Sequence, residues 1–146
     1  MTERVKALGI DLGERRTGIA VSDDRGVLAL LLCTLTRERK VSDRVRRIAR
    51  LGEEHKVQAF VVGLPLQMDG GEGAGATAAR AFAARLAERT GKPAYLRDER
   101  LTSQEAAESM RAAGADHKRI KELVDQVSAQ IILQGWLDVQ LRPQTT

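Results

Sequence analysis

Short apolar runs broken by turns open the chain, and a helical periodicity takes over after them. Val5 to Asp11 is apolar up to a terminal acid and is followed by Gly13, which predicts a buried strand. Gly18 to Ser22 reads as a second strand, reached through a turn that carries Arg15, Arg16 and Thr17. Asp23-Asp24-Arg25-Gly26 is turn chemistry, and Val27 to Leu35 is a third apolar strand, so these three form an antiparallel meander. Val41, Val45, Ile48, Ala49 and Gly52 then fall at helical spacing, and Ser42 is placed to cap that helix, which runs to about His55. Val57 to Val62 is the fourth strand, closed by Gly63-Leu64-Pro65. A Gly-rich loop, an Ala-rich helix ending near Gly91 and a fifth strand over Pro93 to Arg97 follow. Thr102, with Glu105 as capping-box partner, starts another helix, and a last long helix runs to about Leu141.

The order βββαβαβαα predicts an α/β fold with one five-stranded mixed sheet and helices on both faces. Right-handed crossovers make strands one, four and five parallel, with two and three as an antiparallel wing. Ligands of such sheets bind beyond the carboxyl ends of the parallel strands. Asp11, the loop from Gly63 to Gly73, and Asp98-Glu99-Arg100 all fall at that edge.

The last helix adds a third acid. Glu122, Gln126 and Gln130 form a polar stripe, while Asp125 lies off it, in line with Ala129, Ile132 and Trp136 on the face that packs on the sheet. A carboxylate there must be hydrogen-bonded, paired or bound to a cation. Asp11, Glu99 and Asp125 together make an all-oxygen donor set suited to Mg²⁺ or Mn²⁺. Two such ions about 4 Å apart activate water and stabilise the leaving oxygen of a phosphodiester.

Composition narrows the alternatives. The 146 residues predict a single domain, 1–141, with a short tail, 142–146. Aromatic residues at 3% argue against a base-stacking platform. The lone Cys33 excludes an intramolecular disulfide and reads as a core residue. His55 and His117 lie in hydrophilic stretches and are not expected to be catalytic. The loop from Gly70 to Gly75 lacks a Walker Lys-Ser/Thr. No apolar run has the length of a membrane span and no secretory signal opens the chain, so a cytoplasmic protein is expected, with no membrane partner. The net charge of +4 is local. Residues 37 to 50 hold seven bases and two acids, a net of +5, so the remainder sums to −1. Arg44, Arg46 and Arg47 in that segment are candidate contacts to a polyanion backbone.

Four motifs in order carry a resemblance. Leu8-Gly9-Ile10-Asp11-Leu12-Gly13 with Arg16-Thr17-Gly18-Ile19-Ala20-Val21-Ser22-Asp23 resembles the opening signature of the YqgF family. Val61-Val62-Gly63-Leu64-Pro65-Leu66, Met68-Asp69-Gly70 and Glu72-Gly73 resemble its central motif, and Asp98-Glu99-Arg100-Leu101-Thr102 its third. Val124-Asp125, Ala129-Gln130-Ile131-Ile132-Leu133-Gln134 and Leu137-Asp138 resemble its closing helix. The resemblance implies a ribonuclease H-like fold related to RuvC-type Holliday-junction resolvases, and a nuclease role in maturing the 5′ end of 16S ribosomal RNA. It implies Asp11, Glu99 and Asp125 as the acidic residues, and basic positions at Arg16 and Arg100 that are read as phosphate contacts. RuvC-type resolvases carry a second acid where this chain has Ser128, and one at the end of strand four where it has none; Asp69 and Ser128 are therefore candidate additional site residues. The leading expectation is a metal-dependent nuclease on structured RNA, associated with a pre-ribosomal particle and either monomeric or homodimeric. The alternatives are a branched-DNA resolvase, which requires a dimer, and a non-catalytic RNA-binding module. The actin and sugar-kinase phosphate loop, which Gly9-Ile10-Asp11-Leu12-Gly13 and Thr17-Gly18 also resemble, needs a second domain and ranks last.

Overall fold

In a computed structural model, residues 5–100 and 102–140 are described. The expected tail from Arg142 and the motif residue Leu101 lie outside them, as does the side chain of Ser103. β1 (Ala7–Leu12), β2 (Thr17–Ser22) and β3 (Ala29–Leu35) form the antiparallel meander. β4 (Ala59–Leu64) pairs parallel with β1, and β5 (Ala94–Asp98) parallel with β4. The sheet order is β3-β2-β1-β4-β5, with β1, β4 and β5 parallel as expected.

Strand alternation builds two cores on opposite faces. Leu8, Ile10, Ile19, Val21, Phe60 and Val62 point to one face, where α1 (Val41–Glu54) and α2 (Ala74–Thr90) cover them with Val45, Ile48, Phe82 and Leu86. Ala7, Ala20, Ala59 and Val61 point to the other, covered by Ala129, Ile132, Leu133, Trp136 and Leu137 of α4 (His117–Gln140). α3 (Thr102–Ala112) leans on α4. The small side chains on the second face let one long helix lie close to the sheet.

Boundaries shift where backbone bonding overrides the pattern. α1 starts at Val41, because the Lys40 carbonyl already accepts the N–H groups of Asp43 and Arg44; Ser42 lies inside the first turn and does not cap it. Val57 donates to Gly52 O and closes α1, so β4 begins at Ala59. β4 also runs on through Gly63 and Leu64, which pair with Arg97 and Asp98. β3 is an edge strand with Leu30 and Leu31 exposed. The polar stripe of α4 divides: Glu122 is exposed, whereas the glutamines turn to β3. Gln126 donates to Thr34 Oγ1, Gln130 to Ala29 O, and Gln134 both donates to Val27 O and accepts from Ala29 N, so the stripe satisfies β3.

Candidate metal centre

Asp11 follows Ala7 and Gly9 at a period of two and therefore projects toward α4, at the carboxyl end of β1. A glycine stands on each side of it in the sheet. On β2 its register partner is Gly18, and the backbone of α4 at Asp125 lies directly over that Cα, with Gln126 N 2.9 Å from where a Cβ would be. On β4, Gly63 follows Val62, the partner of the residue before Asp11. The Glu99 carboxylate lies over Gly63, its Cδ 2.8 Å from a Cβ placed there, and Ile132 Cδ1 is 2.7 Å away. Glu99 is held there by its own backbone, which donates to Leu64 O and accepts from Thr102 N. The two glycines thus admit two carboxylates from other elements, one to each side of Asp11.

The electrostatics follow from that placement. Burial pushes the Asp11 carboxyl above the usual carboxylate range; a hydrogen bond with Glu99 opposes this, and the Asp125 charge adds to it. Glu99 is pushed up to about 8, first by burial, then by the Asp11 charge, its hydrogen bond with Asp11, and Asp98. Without a cation, Glu99 is therefore shifted toward its protonated form, hydrogen-bonded with Asp11. The Asp125 backbone over Gly18 and the Glu99 carboxylate over Gly63 flank Asp11 in the sheet, so the three acids form a row with Asp11 in the middle. Among the described residues no three metal-ligating side chains already close around one point. Asp125 Oδ2 is buried with no hydrogen-bond partner. Arg16 Nε stands 3.3 Å from it, an ion-pair distance without hydrogen-bond alignment. A buried carboxylate oxygen without a hydrogen bond, three acids crowded at one sheet end and a donor set of oxygen alone fit hard divalent cations.

The remaining expected residues divide. Arg16 and Arg100 flank the row: Arg16 beside Asp125, and Arg100 on the rim of a cavity of about 230 Å³ lined by Asp11, Glu99, Pro65, Leu66, Thr102 and Gln104. Arg100 is ion-paired with Asp98 at 2.7 Å. Ser128 is buried one turn beyond Asp125, and its Oγ has no partner. Asp69 stands apart from the row; its Oδ1 accepts from Gly71 N–H in a turn beside Arg100. Arg46 is exposed on α1 and Arg47 half-buried. Arg44 is not a surface contact. It is buried, and its guanidinium donates to the carbonyls of Gly13, Glu14 and Glu38. Charge alone could not reveal that direction. Lys121, at the start of α4, escaped the sequence reading; with Arg15, Arg16, Thr36 and Arg39 it lines a cleft of about 940 Å³ that ends at Asp125. Its position four residues before Asp125, one turn away on the same helix face, was the available signal.

Known proteins share this sequence pattern and this fold. The family described as "RuvX: Holliday junction resolvase" matches residues 5–139. A Myxococcus xanthus protein named "Putative pre-16S rRNA nuclease" is 42% identical over 141 residues, covering 97% of this chain and 93% of that protein. A Picosynechococcus protein of the same name is 44% identical over 136 residues, covering 93% and 94%. Among solved structures, T. thermophilus RuvC in complex with a Holliday junction substrate superposes with a TM-score of 0.60 at 19% identity, covering 94% of this chain and 96% of that one. That likeness establishes a shared ribonuclease H-like fold. With the sequence match spanning all four motifs, the chain belongs to the RuvX (YqgF) family of nucleases.

Proposed function

We propose that the chain is a divalent-cation-dependent nuclease that hydrolyses phosphodiester bonds in structured RNA, maturing the 5′ end of precursor 16S ribosomal RNA in the cytoplasm. The observation that carries this is the row Glu99–Asp11–Asp125, with its shared central carboxylate and the orphaned Asp125 Oδ2. Asp11 and Asp125 would hold one Mg²⁺ or Mn²⁺ ion, with Ser128 Oγ in reserve beside it, and Asp11 and Glu99 a second. Such cations supply an activated water and neutralise charge on the phosphate under attack. Asp11 and Asp125, fixed on a central strand and a packed helix, set the geometry. Arg16 and Arg100 contact the phosphate from the two sides of the row, and Arg46 and Arg47 meet the backbone farther along α1. Glu99 would hold a cation as its carboxylate, its proton passing to solvent.

RNA is favoured over branched DNA because the relatives named as pre-16S rRNA nucleases match at 42–44% identity over more than nine-tenths of this chain. The resolvase reading stands second, on the family's description. Wild-type protein and Asp11→Asn, each with Mn²⁺ or Mg²⁺, are compared on a 5′-extended 16S precursor and on a four-way DNA junction. The reading expects cleavage of the precursor by the wild type, lost in Asp11→Asn. Cleavage of the junction alone supports the resolvase. Tight precursor binding with no turnover under either ion supports the non-catalytic module. Turnover retained by Asp11→Asn overturns the site.

A further inference from the structure

We propose that the cleft lined by Arg15, Arg16, Thr36, Arg39 and Lys121 is a track for the sugar–phosphate backbone of the substrate strand, with the buried Arg44 as its internal brace. The inference deepens the nuclease reading and rests on it for the direction in which the strand runs, toward Asp125. The cleft is about 940 Å³ and its walls come from three separate elements: the β1–β2 turn, the β3–α1 loop and the beginning of α4. Asp125 belongs both to this cleft and to the carboxylate row, so a chain lying in it has a phosphate at the row.

The cations are available. Among the described residues, Arg15, Arg39 and Lys121 make no ion pair, whereas Arg80 and Arg100 are tied to Glu72 and Asp98 at 2.7 Å. All three are exposed; Arg39 belongs to the basic segment expected from sequence, whereas Arg15 and Lys121 do not. Unpaired cations from three elements, lining one groove with the Thr36 hydroxyl and outnumbering its acids Glu14 and Asp125, are suited to successive phosphates and carry no base-reading chemistry.

Arg44 shows that the cleft is a built feature. Its side chain is 7% exposed, yet no carboxylate meets it. Nη1 donates to Gly13 O at 2.6 Å, Nε to Glu38 O at 2.8 Å, and Nη2 to Glu14 O. The first and last of these carbonyls belong to the turn that presents Arg15 and Arg16; the second belongs to the loop that presents Arg39. One buried cation therefore locks both walls in register. It also leaves a positive charge beneath the cleft, compensated by carbonyl dipoles alone.

The test is RNA binding measured by fluorescence anisotropy over a range of KCl concentrations, with chelator present so that cleavage is silent. The probe is a labelled fragment of the 16S precursor 5′ leader. Each lost phosphate contact lowers the slope of log K against log salt by about 0.7 to 0.9. The triple variant Arg15→Ala/Arg39→Ala/Lys121→Ala is expected to lower it by about 2 and to weaken binding at least roughly tenfold. Arg25→Ala, on the turn at the opposite edge of the sheet, is expected to keep the wild-type slope. Arg44→Met is expected to lower the slope while Arg15, Arg39 and Lys121 are all present, with a wild-type circular dichroism spectrum. A triple variant with the wild-type slope overturns the track, as does a wild type that does not bind the probe. Failure of the nuclease reading looks different: a wild type that binds with the expected slope change yet never cleaves with Mg²⁺ or Mn²⁺ removes the catalysis and leaves the track standing.

Discussion

Glu99 owes its raised pKa to where its carboxylate lies. Over Gly63 it is buried against Ile132 and faces the Asp11 charge, which pushes it up to about 8. A group whose folded pKa lies above its unfolded value contributes stability that is fully present below the unfolded value and is lost as pH rises through the folded one. Without metal, the melting temperature is therefore expected to fall between about pH 4.5 and about pH 8, and to fall less in Glu99→Gln. Thermal melts in chelator across that range check this; equal slopes for the two proteins would contradict it. At about pH 8, Mn²⁺ is expected to raise the wild-type melting temperature, because the cation takes up the charge that burial penalises. Gly63→Ala tests the placement itself. A Cβ there meets Glu99 Cδ at 2.8 Å and Ile132 Cδ1 at 2.7 Å, so the flexible carboxylate must shift. The expected outcome is a loss of about 1 kcal/mol of stability, with Mn²⁺ affinity lowered roughly tenfold. At this scale Asp11 and Asp125 were legible, because an acid closing an apolar strand or interrupting a packed helix face is chemically conspicuous. The inward turn of Arg44 was not, since a basic residue in a basic segment carries no mark of the three carbonyls it meets.

At the scale of elements, α4 does two jobs that its periodicity shows only in part. Its apolar face was readable, and Ala129, Ile132 and Trp136 lie buried as the pattern implies. The glutamine stripe has the look of a solvated face, yet it bonds to the β3 edge, because the helix packs across that edge. Removing Gln134 strands Val27 O and Ala29 N, so Gln134→Ala is expected to cost about 1–3 kcal/mol in urea denaturation. Gly18 is the tightest seam. A methyl group there overlaps the Asp125 carbonyl and stands 2.9 Å from Gln126 N, and backbone cannot swing aside as a side chain can. Gly18→Ala is expected to cost about 3 kcal/mol and to abolish cleavage by lifting Asp125 away from Asp11; calorimetric melts and precursor cleavage check both. The strand ends were less readable. β4 continues through Gly63 and Leu64 because β5 pairs with both, and pairing across a crossover is invisible in the local pattern.

Across the whole molecule, charge and site are laid out on one plan. The basic segment 37 to 50 divides once folded: Arg39 faces the cleft beside Asp125, Arg44 turns inward to brace it, and Arg46 and Arg47 line a separate groove between α1 and α2. Tyr95 stacks on Trp136 with ring centroids 5.4 Å apart, so half of the four rings in the chain are used on each other. No helix among the described residues is long and apolar enough to cross a membrane. What remains is a sheet edge with three carboxylates, flanked by arginines and approached through a basic cleft. The central claim is that Asp11 is the carboxylate shared by two cation positions, and calorimetric titration of Mn²⁺ into the protein tests it most directly. The account predicts two bound ions for the wild type at about pH 7.5, with proton release from Glu99, and loss of both on Asp11→Asn. Undiminished Mn²⁺ binding by Asp11→Asn, or none by the wild type, would contradict it.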